Sequence, residues 1–113
     1  MKIIKYTTRL NEDKEVLLVR EAVSEFPCDK FDDPAKVTNM INAIYNANRL
    51  TEEFVWMIAL DTKCKSKGIF EISHGSSDCS IMNPREIFTK LCLCGARNFI
   101  LIHNHWRTGM LTT

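Results

Sequence analysis

The sequence predicts an α/β (α+β) domain, a mixed β-sheet flanked by helices, and three observations carry that expectation. Two near-continuous apolar runs, residues 53–60 and Phe99-Ile100-Leu101-Ile102, have the length and composition of buried strands. Two amphipathic stretches open on Asp33-Pro34 and Asn83-Pro84, each a capping residue followed by proline at the first helical position. Strand-like and helix-like segments then alternate in the order β-β-α-β-β-α-β, which calls for a mixed sheet with helices against it.

Lys2 to Tyr6 and Val16 to Val23 read as strands joined by the polar turn Asn11-Glu12-Asp13-Lys14. A connector with Pro27 leads to Asp33. The first helix places Val37, Met40, Ile41, Ile44 and Tyr45 at helical spacing and stops around Asn46-Ala47-Asn48. Residues 53–60, the turn Asp61-Thr62-Lys63 and a strand from Lys67 to Ser73 read as a hairpin. In its second strand Ile69 and Glu71 share one face, Phe70 and Ile72 the other. Gly75 supplies a positive φ in the loop that follows. The second helix is capped by Asn83, carries Glu86 in its first turn, buries Ile87, Phe88, Leu91 and Cys92, and ends at Gly95. The last strand enters at Arg97 and is expected to be buried on both faces.

At 113 residues the chain has room for one hydrophobic core. A net charge of +1 gives no electrostatic case for nucleic-acid binding. No apolar run reaches the length of a membrane span, and no signal-peptide core is apparent, so the expected location is cytoplasmic. The five cysteines, Cys28, Cys64, Cys79, Cys92 and Cys94, are odd in number and contain no Cys-x-x-Cys pair. They read as reduced thiols, mostly small core residues.

The chemistry concentrates in His103-Asn104-His105. Strand side chains alternate, so the two imidazoles share one side and Asn104 points to the other. Paired imidazoles at a strand end can hold one divalent metal, or can simply hydrogen-bond there. Two ligands do not make a site, so the neighbouring motifs decide between these readings.

Four blocks bear on that question: Glu53-Phe54-Val55 leading to Leu60-Asp61-Thr62-Lys63; Ser73-His74-Gly75-Ser76; Asn83-Pro84-Arg85-Glu86-Ile87-Phe88; and Ile100-Leu101-Ile102-His103-Asn104-His105. In this order they resemble the C-terminal domain of RadC-type proteins, members of the JAB1/MPN (JAMM) superfamily. The segment upstream, including the Asp33-Pro34 helix, resembles the lead-in of short versions of that domain. The resemblance implies the JAB1/MPN (cytidine deaminase-like) architecture. It divides one domain, 1–113, into lead-in strands and helix (1–50) and a partial motif-bearing core (51–113). It further implies a zinc-dependent, metallopeptidase-like hydrolase associated by family with DNA repair. The superfamily pattern is a glutamate, His-x-His, seven residues, serine, two residues and aspartate. Glu53 matches the glutamate as general acid-base, and His103 and His105 match two of the three metal ligands. In that scheme the metal activates a water, the carboxylate moves its proton and the serine stabilises the oxyanion.

After His105 the sequence departs from this pattern. The serine position falls on Thr113 and the aspartate position three residues beyond the last residue. The expectation is therefore a domain lacking its C-terminal part, through truncation or a frameshift, with weak or absent zinc binding and impaired activity. A sheet so shortened would expose an edge that a second copy of the chain could cover. The substrate is unknown, with a peptide indicated by the superfamily. The alternative is an inactive remnant that acts as a binding module for DNA or a repair partner.

Overall fold

The computed structural model describes residues 1–49, 52–74, 84–105 and 110–112; for 48, 73, 74, 105 and 110–112 only the backbone is described. Six strands form one sheet: β1 Lys2–Leu10, β2 Val16–Glu25, β3 Phe54–Leu60, β4 Ser66–His74, β5 Asn98–His105 and β6 Met110–Thr112. Their spatial order is β2-β1-β4-β3-β5-β6. β1 runs parallel to β4, and the other neighbours are antiparallel, so the sheet is mixed. Among the described residues, two helices, α1 (Pro34–Tyr45) and α2 (Pro84–Cys94), and a 3₁₀ turn over Ala47–Arg49 accompany the sheet. The expected α+β architecture is present.

The helices cover opposite sides of the sheet. Val37, Met40 and Ile41 of α1 pack on Ile3, Trp56, Ile58, Leu60, Ile69 and Ile102. Ile87 and Leu91 of α2 pack on Met57, Ala59 and Phe70. Alternate residues of β3 thus feed two separate cores, as the two-residue strand period requires. The expected division of β4 holds, with Ile69 in one cluster and Phe70 and Ile72 in the other.

Local chemistry sets the element ends. Asp33 is extended (φ −136°, ψ 130°), and its carboxylate accepts from the Ala35 amide at 2.9 Å, the expected cap with Pro34 following it. Asn46 closes α1 in the left-handed region (φ 51°), where asparagine is tolerated. At the end of α2, Gly95 (φ 71°) donates to the Cys92 carbonyl and Ala96 to the Leu91 carbonyl, the paired bonds of a Schellman ending. Asn11 Oδ1 accepts from the amides of Asp13 and Glu15, and Asp61 Oδ1 from those of Lys63 and Lys65, so one side chain ties each hairpin turn.

Several expectations need correction. β1 and β2 extend further than the apolar signal, to Leu10 and Glu25, because their hairpin ladder continues across a bulge between Lys5 and Tyr6. In α2 the buried stripe is Ile87 and Leu91 with Cys94 against the same core. Phe88 is 60% exposed and Cys92 is exposed, because both lie about 100° further round the helix than their buried neighbours. The four described cysteines are free and none is fully buried; Cys28 and Cys94 pack at the margins of the two cores, and Cys92 is exposed. β5 is not buried on both faces either: Phe99 is 42% exposed, and β6 flanks only His103–His105. The most buried strand is β3, held between β4 and β5. The expected Asn83 cap, the Gly75 conformation and Cys79 lie outside the described residues.

Candidate functional site

The β3–β5 ladder fixes the candidate site. Its register pairs Leu60 with Asn98, Ala59 with Phe99 and so on to Val55 with His103, without a shift. The ladder ends at that pair, two residues short of Glu53 on β3's side and of His105 on β5's. The β3–β4 ladder pairs Val55 with Ser73 and Phe54 with His74 on the other side of the same strand end. Three of the four motif blocks, Glu53-Phe54-Val55, Ser73-His74 and His103-Asn104-His105, therefore occupy three adjacent strands at one end of the sheet. Sequence separations of about 20 to 50 residues collapse there to neighbouring backbones.

Strand alternation assigns the sides. Val55, Met57 and Ala59 share one parity, and Met57 and Ala59 belong to the core under α2. His103 shares parity with Leu101, which packs on that same core. His103 is half-buried, as is Glu53, while Glu52 is exposed. The side chain of His105 lies outside the described part, so its imidazole position is not part of this geometry.

Asn104 occupies the opposite side and is fully buried, the only buried polar residue among those described. Its Oδ1 accepts from the Phe54 amide at 2.7 Å, and its Nδ2 donates to the carbonyls of Glu52 at 3.0 Å and Ala47 at 3.5 Å. A buried amide of this kind must find partners, and Asn104 finds them where the β3–β5 backbone ladder stops. The sequence reading gave Asn104 no role. The available signal was parity: positions 100, 102 and 104 share a face, and a polar residue continuing an isoleucine pair must be satisfied by something.

Imidazole nitrogens on alternate positions of one strand suit a zinc-type divalent ion in kind. They fall short in number. Among the described residues no group of three or more histidine, cysteine, aspartate or glutamate side chains converges as a metal site. The eight residues after His105 contain no further ligand of these types.

A mixed sheet with a helix on each side, bearing His-x-His at the strand end where a glutamate-led strand begins, defines a JAB-type domain. The family model described as the RadC-like JAB domain matches residues 31–110, and the chain belongs to that family. Among its curated relatives, a UPF0758 protein of Clostridium perfringens is 34% identical over 89 residues, covering 79% of this chain and 38% of the relative. A UPF0758 protein of Thermotoga maritima is 32% identical over 77 residues, covering 68% of this chain and 33% of the relative. The stretch matched is thus little more than a third of the length of these relatives. No helix among the described residues is long and apolar enough to cross a membrane.

Proposed function

We propose that this chain carries residues of a RadC-like hydrolase site, in which His103 and His105 hold a zinc-type ion and Glu53 is the general acid-base. The observation that supports this reading most directly is the shift-free β3–β5 register, whose last pair, Val55 with His103, lies two residues from Glu53 in the sequence. A bound zinc ion would supply Lewis acidity and lower the pKa of a water it holds. The residues of the chain do the rest. His103 and His105 would hold the ion, and the Glu53 carboxylate would take a proton from the attacking water and deliver it to the leaving group. A carboxylate that is half-buried at a strand start can serve both steps without leaving its position.

Two imidazoles alone bind zinc much more weakly than a complete three-ligand set. Adding residues that place an aspartate three positions beyond Thr113 is therefore expected to raise zinc affinity by orders of magnitude. Calorimetric titration of zinc into the native and extended chains reads this directly, and equal affinities overturn the ligand assignment. His103→Ala and His105→Ala should each abolish the enthalpy of binding, whereas Glu53→Gln should leave it nearly unchanged. The proposed substrate is a peptide and the proposed context is DNA repair, both on the family alone; the proposed setting is cytoplasmic.

A further inference from the structure

We propose that Asn104, the residue between the two histidines, is a positioning residue that fixes Glu53 relative to the metal-binding strand. The inference rests on the assignment of Glu53 and the two histidines made above. Its ground is the pattern of three hydrogen bonds from one fully buried side chain. The carbonyl of Glu52 belongs to the peptide unit that precedes the Glu53 Cα, and the amide of Phe54 belongs to the unit that follows it. Asn104 holds the first through Nδ2 at 3.0 Å and the second through Oδ1 at 2.7 Å. The planes of these two peptide units define φ and ψ of Glu53. One side chain therefore sets the direction of the Glu53 Cα–Cβ bond.

The placement of the clamp matters as much as its bonds. The last backbone pair of the β3–β5 ladder is Val55 with His103. Beyond it the Asn104 side chain bonds to the Phe54 amide and the Glu52 carbonyl, so a side chain joins the start of β3 to β5. The strand that presents Glu53 is thereby fastened to the residue flanked by both candidate ligands. The third bond, to the Ala47 carbonyl, ties the same amide to the turn that follows α1. Asparagine alone among residues of this size offers one acceptor and two donors in a single plane. Aspartate retains the acceptor but loses the donors, and alanine loses both.

The test separates the clamp from the metal. In the metal-free native chain, a scalar coupling across the hydrogen bond between Phe54 ¹⁵N and Asn104 ¹³Cγ should be observed, and its absence overturns the clamp without any variant. Asn104→Ala should accelerate hydrogen exchange at the Phe54 amide on the order of tenfold or more relative to Ile58 in the same strand. Asn104→Asp should restore protection at Phe54 while leaving the Glu52 carbonyl released, visible as a shift of the Glu53 amide. Uniform acceleration along β3 would mean a purely structural residue and overturn the proposal. Cobalt(II) then serves as the probe at the histidines. Paramagnetic relaxation of the Glu53 side-chain nuclei should be strong in the native chain and weaker by several-fold in Asn104→Ala. Unchanged relaxation in a variant that still binds cobalt overturns the clamp alone. Failure of the native chain to bind cobalt overturns the metal assignment, and with it the purpose given to the clamp.

Discussion

The two sides of the sheet are built to different standards. On one side α1 sinks Val37, Met40 and Ile41 to zero exposure against six sheet residues. Phe54, Trp56 and Tyr45 extend that core as a stack, with ring centroids 5.5 Å apart at each step. On the other side α2 buries only Ile87 and Leu91, at 8% and 9% exposure, and leaves Phe88 and Leu93 facing outward at 60% and 40%. The half-buried His103 has the parity of this second, looser side. Asn104 belongs to the tight side and reaches the Glu53 backbone from behind. The tightly packed face thus holds the start of β3, while His103 lies on the more loosely packed one.

Core truncations should break the symmetry most clearly. Ile41→Ala removes a fully buried side chain from the larger cluster and is expected to cost about 3–4 kcal/mol. Leu91→Ala, at the rim of the smaller cluster, is expected to cost about 2 kcal/mol because water and neighbours can fill part of the space. Urea unfolding midpoints with a common slope measure both. Equal losses would mean that the two sides are equally close-packed.

Gly68 sharpens the contrast within the α2 side. A Cβ at this position would lie 2.6 Å from Cδ2 of the Tyr6 ring, which itself stacks on Phe70 at 5.9 Å. Gly68→Ala therefore forces the ring aside and should cost about 1–3 kcal/mol, the usual scale of overpacking. In a Tyr6→Ala background the same substitution should cost less, since the obstructing ring is gone, and the cost that is left reports the positive φ of Gly68 (157°). A double-mutant cycle reads the difference, and strict additivity would refute the clash.

The cap of α1 comes next in size. Asp33→Ala removes the acceptor for the Ala35 amide and should cost about 1 kcal/mol. Asp33→Asn should recover most of that loss, because it keeps the oxygen. Thermal melts of the three proteins suffice. No loss in the alanine variant would show that the tertiary packing of α1, and not its cap, determines the helix start.

Legibility in the sequence followed the range of the interactions. Asp33, Pro34, Asn46 and Gly95 act on backbone groups within a turn of themselves, and the sequence placed both ends of α1 and the end of α2 at those residues. The faces of β4 were readable because period two needs no knowledge of partners. The full length of β1 and β2 was not, since Thr7–Leu10, Ser24 and Glu25 are held in the ladder by pairing across the hairpin and not by apolar pattern. Phe88 and Cys92 were misplaced because an apolar stripe marks a helix face without saying how wide a surface awaits it. For the site, the resemblance supplied Glu53, His103 and His105 residue by residue. The shared strand end needed the registers of two ladders, and the partners of Asn104 lie 50 or more residues away.

The smallest effect probes how closed the α1 side is. Burial pushes the Tyr45 phenol up from its ordinary 10.0 to about 12, with the carboxylates of Glu21 and Glu71 adding to the shift. Lys5 Nζ lies 5.5 Å from the ring centroid, over a ring that also stacks on Trp56. The folded state therefore holds the phenolic proton more tightly than the unfolded chain does. Its contribution to stability is fully present below pH 10 and is lost as the pH rises from 10 towards 12. Tyrosinate absorbance should show a component with its midpoint near 12 that disappears in Tyr45→Phe. The same variant should flatten the alkaline fall in stability. A Tyr45 midpoint at the ordinary value would place the ring in water and remove the distinction between a sealed face and an accessible one.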